Sequence, residues 1–166
     1  MKIDIRYARR DELERINELR CMVSELHASG RPDIFRHGFC AELRDYIYTV
    51  FESDRADVVA ALIDGEICGF AIVEYIDKPE SPYMNRRRFM HISEFGVDEK
   101  YRRLGAASAM IDFCRAVARE KQFGRIELDV WEFNGSAELF YEREGFTTYR
   151  RYMELDVPDG KDQKGY

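Results

Sequence analysis

Hydrophobic residues in the N-terminal part of the chain first alternate with polar ones and then recur every three or four positions. The alternation in KIDIRYA predicts a half-buried first strand. The longer period that follows predicts a helix with one apolar face, formed by Leu13, Ile16, Leu19, Val23 and Leu26. Asp11 and Glu14 resemble a capping box at the start of this helix, and Gly30 with Pro32 predicts its end.

A second helix and a β-hairpin are predicted next. The helix covers Phe39 to about Phe51, and its core-facing residues are Phe39, Leu43, Ile47 and Val50. Two apolar runs follow in DVVAALIDGEICGFAIVEYI, and Asp64-Gly65 between them is typical of a two-residue hairpin turn. The polar loop DKPESPYMNRRR then leads into another predicted strand, FMHISEFGV.

The remaining pattern alternates between helix and strand. It predicts a helix that ends near Gly124, a strand RIELDV, a short helix NGSAELFYEREG and a closing strand TTYRRYMELDV. This order of elements predicts one mixed α/β sheet with helices against it. We expect residues 1–156 to form a single domain and residues 157–166 to be a disordered tail.

The composition fits a globular protein with its own core. The chain has 166 residues, 45% of them hydrophobic, and a net charge of −6. The acidic balance argues against a general nucleic-acid binder and favours a cationic, amine-bearing small substrate.

Cysteines and histidines are too scattered to indicate a metal site. The four cysteines form no CxxC pair, so we expect reduced thiols, no metal and a cytoplasmic location. The N-terminus has no apolar signal region, and no stretch has the length of a membrane span, so no membrane partner is expected.

The stretch EKYRRLGAASAM predicts an anion site at the start of a helix. The first backbone N–H groups of a helix lack partners, and the helix dipole is positive there. Gly105, Ala106 and Ala107 allow close approach to these groups, and Arg102 or Arg103 can add charged contacts. The expected ligand is a phosphate, in particular a pyrophosphate. The stretch lacks the GK[ST] of a P-loop and the glycines of a dinucleotide fingerprint, and a plain turn with surface arginines stays open.

A second motif decides between these interpretations. ELDVWEFNGSAELFYEREGF has the spacing N-x-x-A-x-x-F-Y-x-x-x-G-F, from Asn134 to Phe146. Together with R-x-x-G-x-A in YRRLGA, it closely resembles the GCN5-related N-acetyltransferase (GNAT) family, whose elements have the same order. The resemblance implies a mostly antiparallel mixed sheet, about four helices, a splayed strand pair and acetyl-CoA as co-substrate.

The resemblance also implies which residues bind the cofactor. The splayed strand corresponds to Phe95, Gly96 and Val97, whose backbone would bind the pantetheine arm. The backbone N–H groups of the loop would bind the pyrophosphate, through Arg102, Arg103, Leu104, Gly105, Ala106 and Ala107. Asn134 corresponds to an asparagine that contacts the cofactor arm.

Two residues are implied as catalytic. Tyr141 occupies the position of a general acid for the leaving thiolate, and packing beside Phe140 is its alternative role. Glu94 is the candidate base that takes a proton from the acceptor amine, with an ordinary surface ion pair as its alternative. His91 and Ser93 are further candidates, and strand alternation places both on the opposite face from Glu94 unless a bulge intervenes.

The acceptor side is less defined. Trp131 and Phe133 are candidate pocket residues, as are Asp33, Phe35 and His37 in GRPDIFRHGF, while Arg86, Arg87 and Arg88 are candidates for a nucleotide phosphate. The predicted activity is direct transfer of an acetyl group to a primary amine, on a small molecule or a peptide. A sensor or regulatory module that binds acyl-CoA without turnover is the alternative. The acceptor, the length of the acyl group and a homodimer are left open.

Overall fold

The structure, a computed structural model, describes residues 1–158 and contains a five-stranded sheet in this part of the chain. Its strands are β1 (Ile3–Tyr7), β2 (Ala56–Ile63), β3 (Glu66–Lys78), β4 (Arg87–Val97) and β5 (Ile126–Leu128). They lie side by side in chain order, antiparallel except that β5 runs parallel to β4. The predicted mixed, mostly antiparallel sheet is confirmed.

Four α-helices are assigned within residues 1–158, two against each face of the sheet. They are α1 (Leu13–Gly30), α2 (Ala41–Phe51), α3 (Ala106–Glu120) and α4 (Gly135–Arg143). The fully buried Leu13 and Ile47 of α1 and α2 pack on the face that carries Phe70 and Ile72 of β3. On the other face, Ile111 of α3 packs against residues of β3 and β4.

The hairpin turn has the expected geometry. Asp64 and Gly65 both have positive φ, at 51° and 90°, as a two-residue turn between twisted strands requires. The predicted end of α1 at Gly30 is likewise confirmed.

Three local predictions are wrong. The capping box at Asp11 and Glu14 does not form, because Glu12, not Glu14, accepts the hydrogen bond from the Arg9 backbone N–H, at 2.8 Å. The second helix begins at Ala41, after Phe39. Two residues predicted to face the core are largely exposed: Leu26 at 45% and Leu43 at 39%.

The closing strand is also absent. Residues 147–158 form neither helix nor strand, although their sequence has strand character. A strand needs a neighbour for its backbone, and β5 has only three residues. Side chains hold the segment instead: Tyr149 donates to Glu127 at 2.8 Å, and Arg31 donates to Glu154 at 2.8 Å. The predicted tail of 157–166 lies outside the described residues, except for Val157 and Pro158.

Candidate functional site

The loop between β4 and α3 presents backbone N–H groups with no partner. Gly105 precedes the first residue of α3 and has φ of 94°, a conformation that glycine adopts readily and β-branched residues do not. The first bond of the helix runs from the Ala109 N–H to the Gly105 carbonyl, at 3.0 Å. The N–H groups of residues 106–108 have no acceptor within residues 1–158, and no acidic residue lies in the first turn of α3. This end of the helix therefore retains its positive dipole.

The loop is fixed to the rest of the protein at its start. Asp98 accepts a hydrogen bond from the Lys100 backbone N–H at 3.2 Å and from the Arg15 guanidinium of α1 at 2.8 Å. Arg102 and Arg103 are exposed, and Arg103 has φ of 65°. The two arginines predicted to contact phosphate are thus beside the free N–H groups and accessible to a ligand.

Strand β4 has a free edge where it leads into this loop. It pairs with β5 only at Met90, His91 and Ile92. From residue 93 to 97 its pairing within the described chain is with β3 alone. The predicted splayed pair is therefore present, and Phe95, Gly96 and Val97 lie along its free edge.

A bulge in β4 changes which side chains share a face. Ile72 of β3 pairs with Glu94, but its neighbour Val73 pairs with Ile92, so Ser93 is an extra residue. Glu94 and His91 consequently point to the same face, toward α1 and α2. Simple strand alternation would put His91 on the opposite face from Glu94, and that arrangement is not found. The bulge named above as the exception is present instead.

The carboxylate of Glu94 is held by a buried arginine. Arg20 of α1 is 3% exposed and donates from Nε and Nη2 to the two oxygens of Glu94, at 2.7 and 2.8 Å. Its Nη1 donates to the Asn17 side chain at 2.9 Å and to the Leu43 carbonyl at 2.7 Å. Both oxygens of Glu94 therefore already accept charged hydrogen bonds within the protein.

Tyr141 lies on the opposite face of the sheet. Its ring packs against Phe95 with centroids 6.1 Å apart and against Phe146 at 5.6 Å. Burial raises the pKa of Tyr141 to about 12, so the phenol stays protonated at neutral pH. Its hydroxyl has no hydrogen-bond partner among the described residues and is not sealed from solvent. It is therefore available as a donor.

Asn134 caps helix α4. Its Oδ1 accepts hydrogen bonds from the Ala137 backbone N–H at 3.3 Å and from the Ser136 hydroxyl at 3.2 Å. Within residues 1–158 its side-chain NH₂ has no acceptor, so the amide can still donate to a ligand.

Four aromatic side chains gather on the α1 face, from three segments of the chain. The ring of His27 stacks on Phe35 at 5.2 Å, and Phe35 meets Trp131 edge-on at 5.1 Å. Phe133 stacks on Trp131 at 6.2 Å and meets His27 edge-on at 6.1 Å. The sequence candidates Phe35, Trp131 and Phe133 are thus brought together, beside a histidine that was not among them.

Other candidates lie elsewhere or are already paired. Arg86 donates to Asp77 at 2.9 Å, and Arg87 bonds to Glu127. His37 contacts Glu25 at 2.7 Å, and Asp33 accepts from Arg31 at 2.9 Å. These side chains are engaged in local ion pairs and hydrogen bonds.

Arg20 and His27 are the site residues that sequence reasoning missed. Arg20 follows Leu13 and Ile16 at helical spacing, on the apolar face, and a charge in that position signals a buried partner. His27 follows Val23 by one turn and carries the same signal more weakly.

Two further properties bear on the kind of site. Residues 1–158 contain no group of three or more side chains arranged to hold a metal ion. Among the helices of the described chain, none has the length and apolar character to cross a membrane.

The chain is similar to known proteins in sequence and in fold. The model of the Acetyltransferase (GNAT) family matches residues 21–146. The crystal structure of the BH1408 protein from Bacillus halodurans, a tetramutant, is similar over 93% of this chain and 99% of that chain, with 26% identity and a TM-score of 0.88. No curated protein sequence matches.

Two more distant structures share the fold. One is AAC(6')-Iy in complex with the bisubstrate analogue CoA-S-monomethyl-acetylneamine, with 17% identity, a TM-score of 0.73 and coverage of 96% of this chain and 100% of that one. The other is the ribosomal-protein-alanine N-acetyltransferase from Brucella melitensis biovar Abortus 2308, with 17% identity, a TM-score of 0.66 and the same coverage.

Proposed function

Because the chain belongs to the GNAT acetyltransferase family, we propose that it is an N-acetyltransferase that uses acetyl-CoA to acetylate a primary amine. The observation that carries the proposal is the free edge of β4 leading directly into the uncapped N-terminus of α3. An extended arm with amide groups fits the first feature, and a pyrophosphate fits the second.

The residues along this path fit acetyl-CoA in detail. The N–H groups of residues 106–108, with Arg102 and Arg103, would hold the pyrophosphate. The backbone from Phe95 to Val97 would hold the pantetheine arm, with Asn134 donating from its free NH₂ group. Acetyl-CoA supplies a thioester carbonyl that an amine can attack without a metal.

The two faces of the sheet separate the roles of the side chains. Tyr141, on the α3 face, is the proposed donor to the leaving sulfur, since its phenol stays protonated at neutral pH. Glu94, on the opposite face, is the proposed contact for the acceptor's ammonium group, and its role as base stays a prediction. Attack in a ternary complex then requires an acceptor that approaches from the side of α1 and α2.

The class of acceptor follows from the charged and aromatic side chains on the α1 and α2 side of the sheet. Glu94 and Glu74 face it, and the aromatic rings of Phe35 and Trp131 border it. We expect a cationic amine on a small molecule or a peptide. AAC(6')-Iy is an aminoglycoside N-acetyltransferase and the Brucella protein a ribosomal-protein-alanine N-acetyltransferase, so these two neighbours do not decide between the acceptors.

The test is a screen of acceptors with the purified protein. Release of free thiol from acetyl-CoA is followed with tyramine, spermidine, kanamycin and an alanine-initiated peptide, and propionyl-CoA replaces acetyl-CoA in a parallel series. Thiol release that depends on both substrates supports the proposal. Absence of release with every amine contradicts it.

One observation favours a second candidate. Both oxygens of Glu94 already accept hydrogen bonds from Arg20, which suits a module that binds acyl-CoA as a signal without turnover. Calorimetry distinguishes the two functions, because a sensor binds acetyl-CoA tightly while no amine releases thiol.

A further inference from the structure

His27 lies on the side of α1 that faces the splayed part of β4. A Cβ on Gly96 would stand 2.8 Å from Cγ2 of Val23, so α1 packs directly on the splayed part of β4. His27 follows Val23 by four residues and shares its side of the helix. Its ring also contacts Phe133, in the loop that leads from β5 to α4. The imidazole therefore lies one helical turn beyond the contact of α1 with β4 and against the loop that follows β5.

The ring is oriented but its nitrogens are free. Stacking on Phe35 at 5.2 Å and edge contact with Phe133 at 6.1 Å fix its plane. Neither nitrogen of His27 has a hydrogen-bond partner within residues 1–158, and neither is sealed from solvent. A histidine held by aromatic rings, with both nitrogens open, can exchange a proton with a ligand.

The alternative bases near the site already have partners. Glu94 accepts from Arg20 at 2.7 Å and 2.8 Å. His91 lies with Nδ1 3.3 Å from Glu74 and Nε2 3.6 Å from Asp129. Among the three, His27 alone has no protein partner in the described part of the chain.

The protonation state of His27 suits the same role. Burial lowers its pKa below the ordinary value, and the negative charge of Glu94 opposes this only in part. The imidazole is therefore neutral at neutral pH and carries a lone pair. The other titratable side chains on the elements around it come from four segments and from Glu154. They are His91 of β4, Asp129 and Glu132 of the β5–α4 loop, Glu25 of α1, and Arg31, Asp33, Arg36 and His37 of the α1–α2 loop.

We propose that His27 is the general base that deprotonates the acceptor amine, an inference that rests on the function proposed above. The ammonium nitrogen loses two protons on its way to the amide. His27 takes the first and releases it to solvent, and the freed lone pair forms the N–C bond at the thioester carbonyl carbon. As the C–S bond breaks, the sulfur takes the proton of the Tyr141 hydroxyl. The second proton leaves the nitrogen through His27, and a proton from solvent restores the hydroxyl.

The experiment compares three alanine variants by thiol release with the amines of the screen. His27→Ala should lower kcat/KM at neutral pH by about 10²-fold or more, as expected for loss of a general base. Leu26→Ala is the matched control, because it truncates an exposed side chain next to His27 on the same helix, and its kcat/KM should equal that of the wild type. His91→Ala tests the competing base.

Rescue and pH dependence separate a base from a packing residue. Added imidazole should restore part of the rate of His27→Ala, since the substitution leaves space between Phe35 and Phe133, and should not affect His91→Ala. The wild-type kcat/KM should rise with pH through a pKa below the ordinary histidine value, and His27→Ala should lack this rise. If His27→Ala does not fold, His27→Gln replaces it in these measurements, because glutamine has a similar size but no basic nitrogen.

The outcomes distinguish this inference from the proposed function. A wild-type protein that acetylates no amine overturns both. An active wild type whose His27 variants keep full kcat/KM, or lose it without imidazole rescue and with the pH rise intact, overturns the role of His27 alone. A loss with imidazole rescue in His91→Ala transfers the role to His91.

Discussion

At the scale of single residues, the buried guanidinium of Arg20 depends on one carboxylate. Removing one member of a buried ion pair leaves the other charge without compensation, which costs about 3–5 kcal/mol when both are fully buried. The Glu94 side chain is 27% exposed, so the penalty should be smaller. A substitution of Glu94 should therefore change stability as well as any effect on turnover, and the two have to be measured separately.

We expect Glu94→Gln to reduce the free energy of unfolding by about 2 kcal/mol, because Arg20 keeps its charge and loses its counter-ion. Urea unfolding measures this change. The double variant Arg20→Met with Glu94→Leu should recover most of the stability, since it removes both charges together. If Glu94→Gln is as stable as the wild type, solvent must already compensate the charge of Arg20. Acetyl-CoA affinity should stay close to that of the wild type, while turnover falls.

Tyr141→Phe should separate chemistry from binding. The ring keeps its contacts with Phe95 and Phe146, and within residues 1–158 the hydroxyl has no hydrogen-bond partner to lose. Fold and cofactor affinity should therefore be unchanged, while turnover falls by at least about tenfold with the loss of general acid help. Stopped-flow measurement of the chemical step checks this, with a more activated thioester as control, for which the loss should be smaller. Full turnover with acetyl-CoA would leave Tyr141 only its packing role.

Glu12 should link stability to pH. The carboxylate accepts hydrogen bonds from Arg6 and Arg9, and these lower its pKa to about 2. A lowered pKa stabilises the fold fully above the ordinary value near 4.5, and this stabilisation is lost as pH falls through about 2. Glu12→Gln should reduce the free energy of unfolding at neutral pH by about 2 kcal/mol, allowing for the exposure of Arg9. The difference from wild type should shrink in acid, with Glu18→Gln as an exposed control.

At the scale of elements, the site depends on how β4, its bulge and α3 follow one another. The bulge at Ser93 brings His91 and Glu94 to one face, and the next residues leave β5 before the chain turns at Gly105. A single strand therefore carries Glu94 and His91 on one side of the sheet and a free backbone edge, and it is followed by an uncapped helix N-terminus.

Replacing Gly105 with valine should weaken acetyl-CoA binding by about tenfold or more. A β-branched residue is strained at φ of 94°, so the turn must change and move the N–H groups of α3. A Cβ there would otherwise have only ordinary contact with Ile3, at 3.5 Å, so the core should tolerate it. Calorimetry measures the affinity, and Gly38→Val, at another positive φ in an exposed loop, is the matched control. Unchanged affinity in a folded Gly105→Val protein would contradict the role of the loop.

Elements with a local signal were predicted well from the sequence. The period of α1 and the Asp64-Gly65 turn depend on near neighbours, and both are confirmed. The prediction of a strand at 147–157 was wrong, because a strand forms only against a neighbouring strand. The hydrophobic pattern of the segment does not show whether such a neighbour is available. The position of the bulge at Ser93 likewise cannot be predicted from the sequence, since it depends on the register between β4 and β3.

At the scale of the whole molecule, two motifs far apart in sequence predicted the family, but not the partners of the site. The loop at 102–107 and the segment from Asn134 to Phe146 need only their own spacing to be recognised. The pair of Arg20 and Glu94 joins α1 to β4, and the stack of His27 and Phe35 faces a loop about 100 residues later. Such contacts come from the packing of α1 on the sheet, for which the sequence gives only burial and charge.

Binding of acetyl-CoA should stabilise the whole domain. A ligand at 100 times its Kd that binds only the folded state adds about 2.7 kcal/mol. For a chain of this size, that corresponds to a rise in Tm of about 5–10 °C. Calorimetric scans with and without acetyl-CoA measure the rise, and Gly105→Val at the same ligand concentration should show little of it. Hydrogen exchange should slow in residues 93–97 and 105–108, the free edge and the uncapped helix, and not in the hairpin turn at Asp64-Gly65. A rise in Tm without protection of these two segments would place the cofactor elsewhere on the protein.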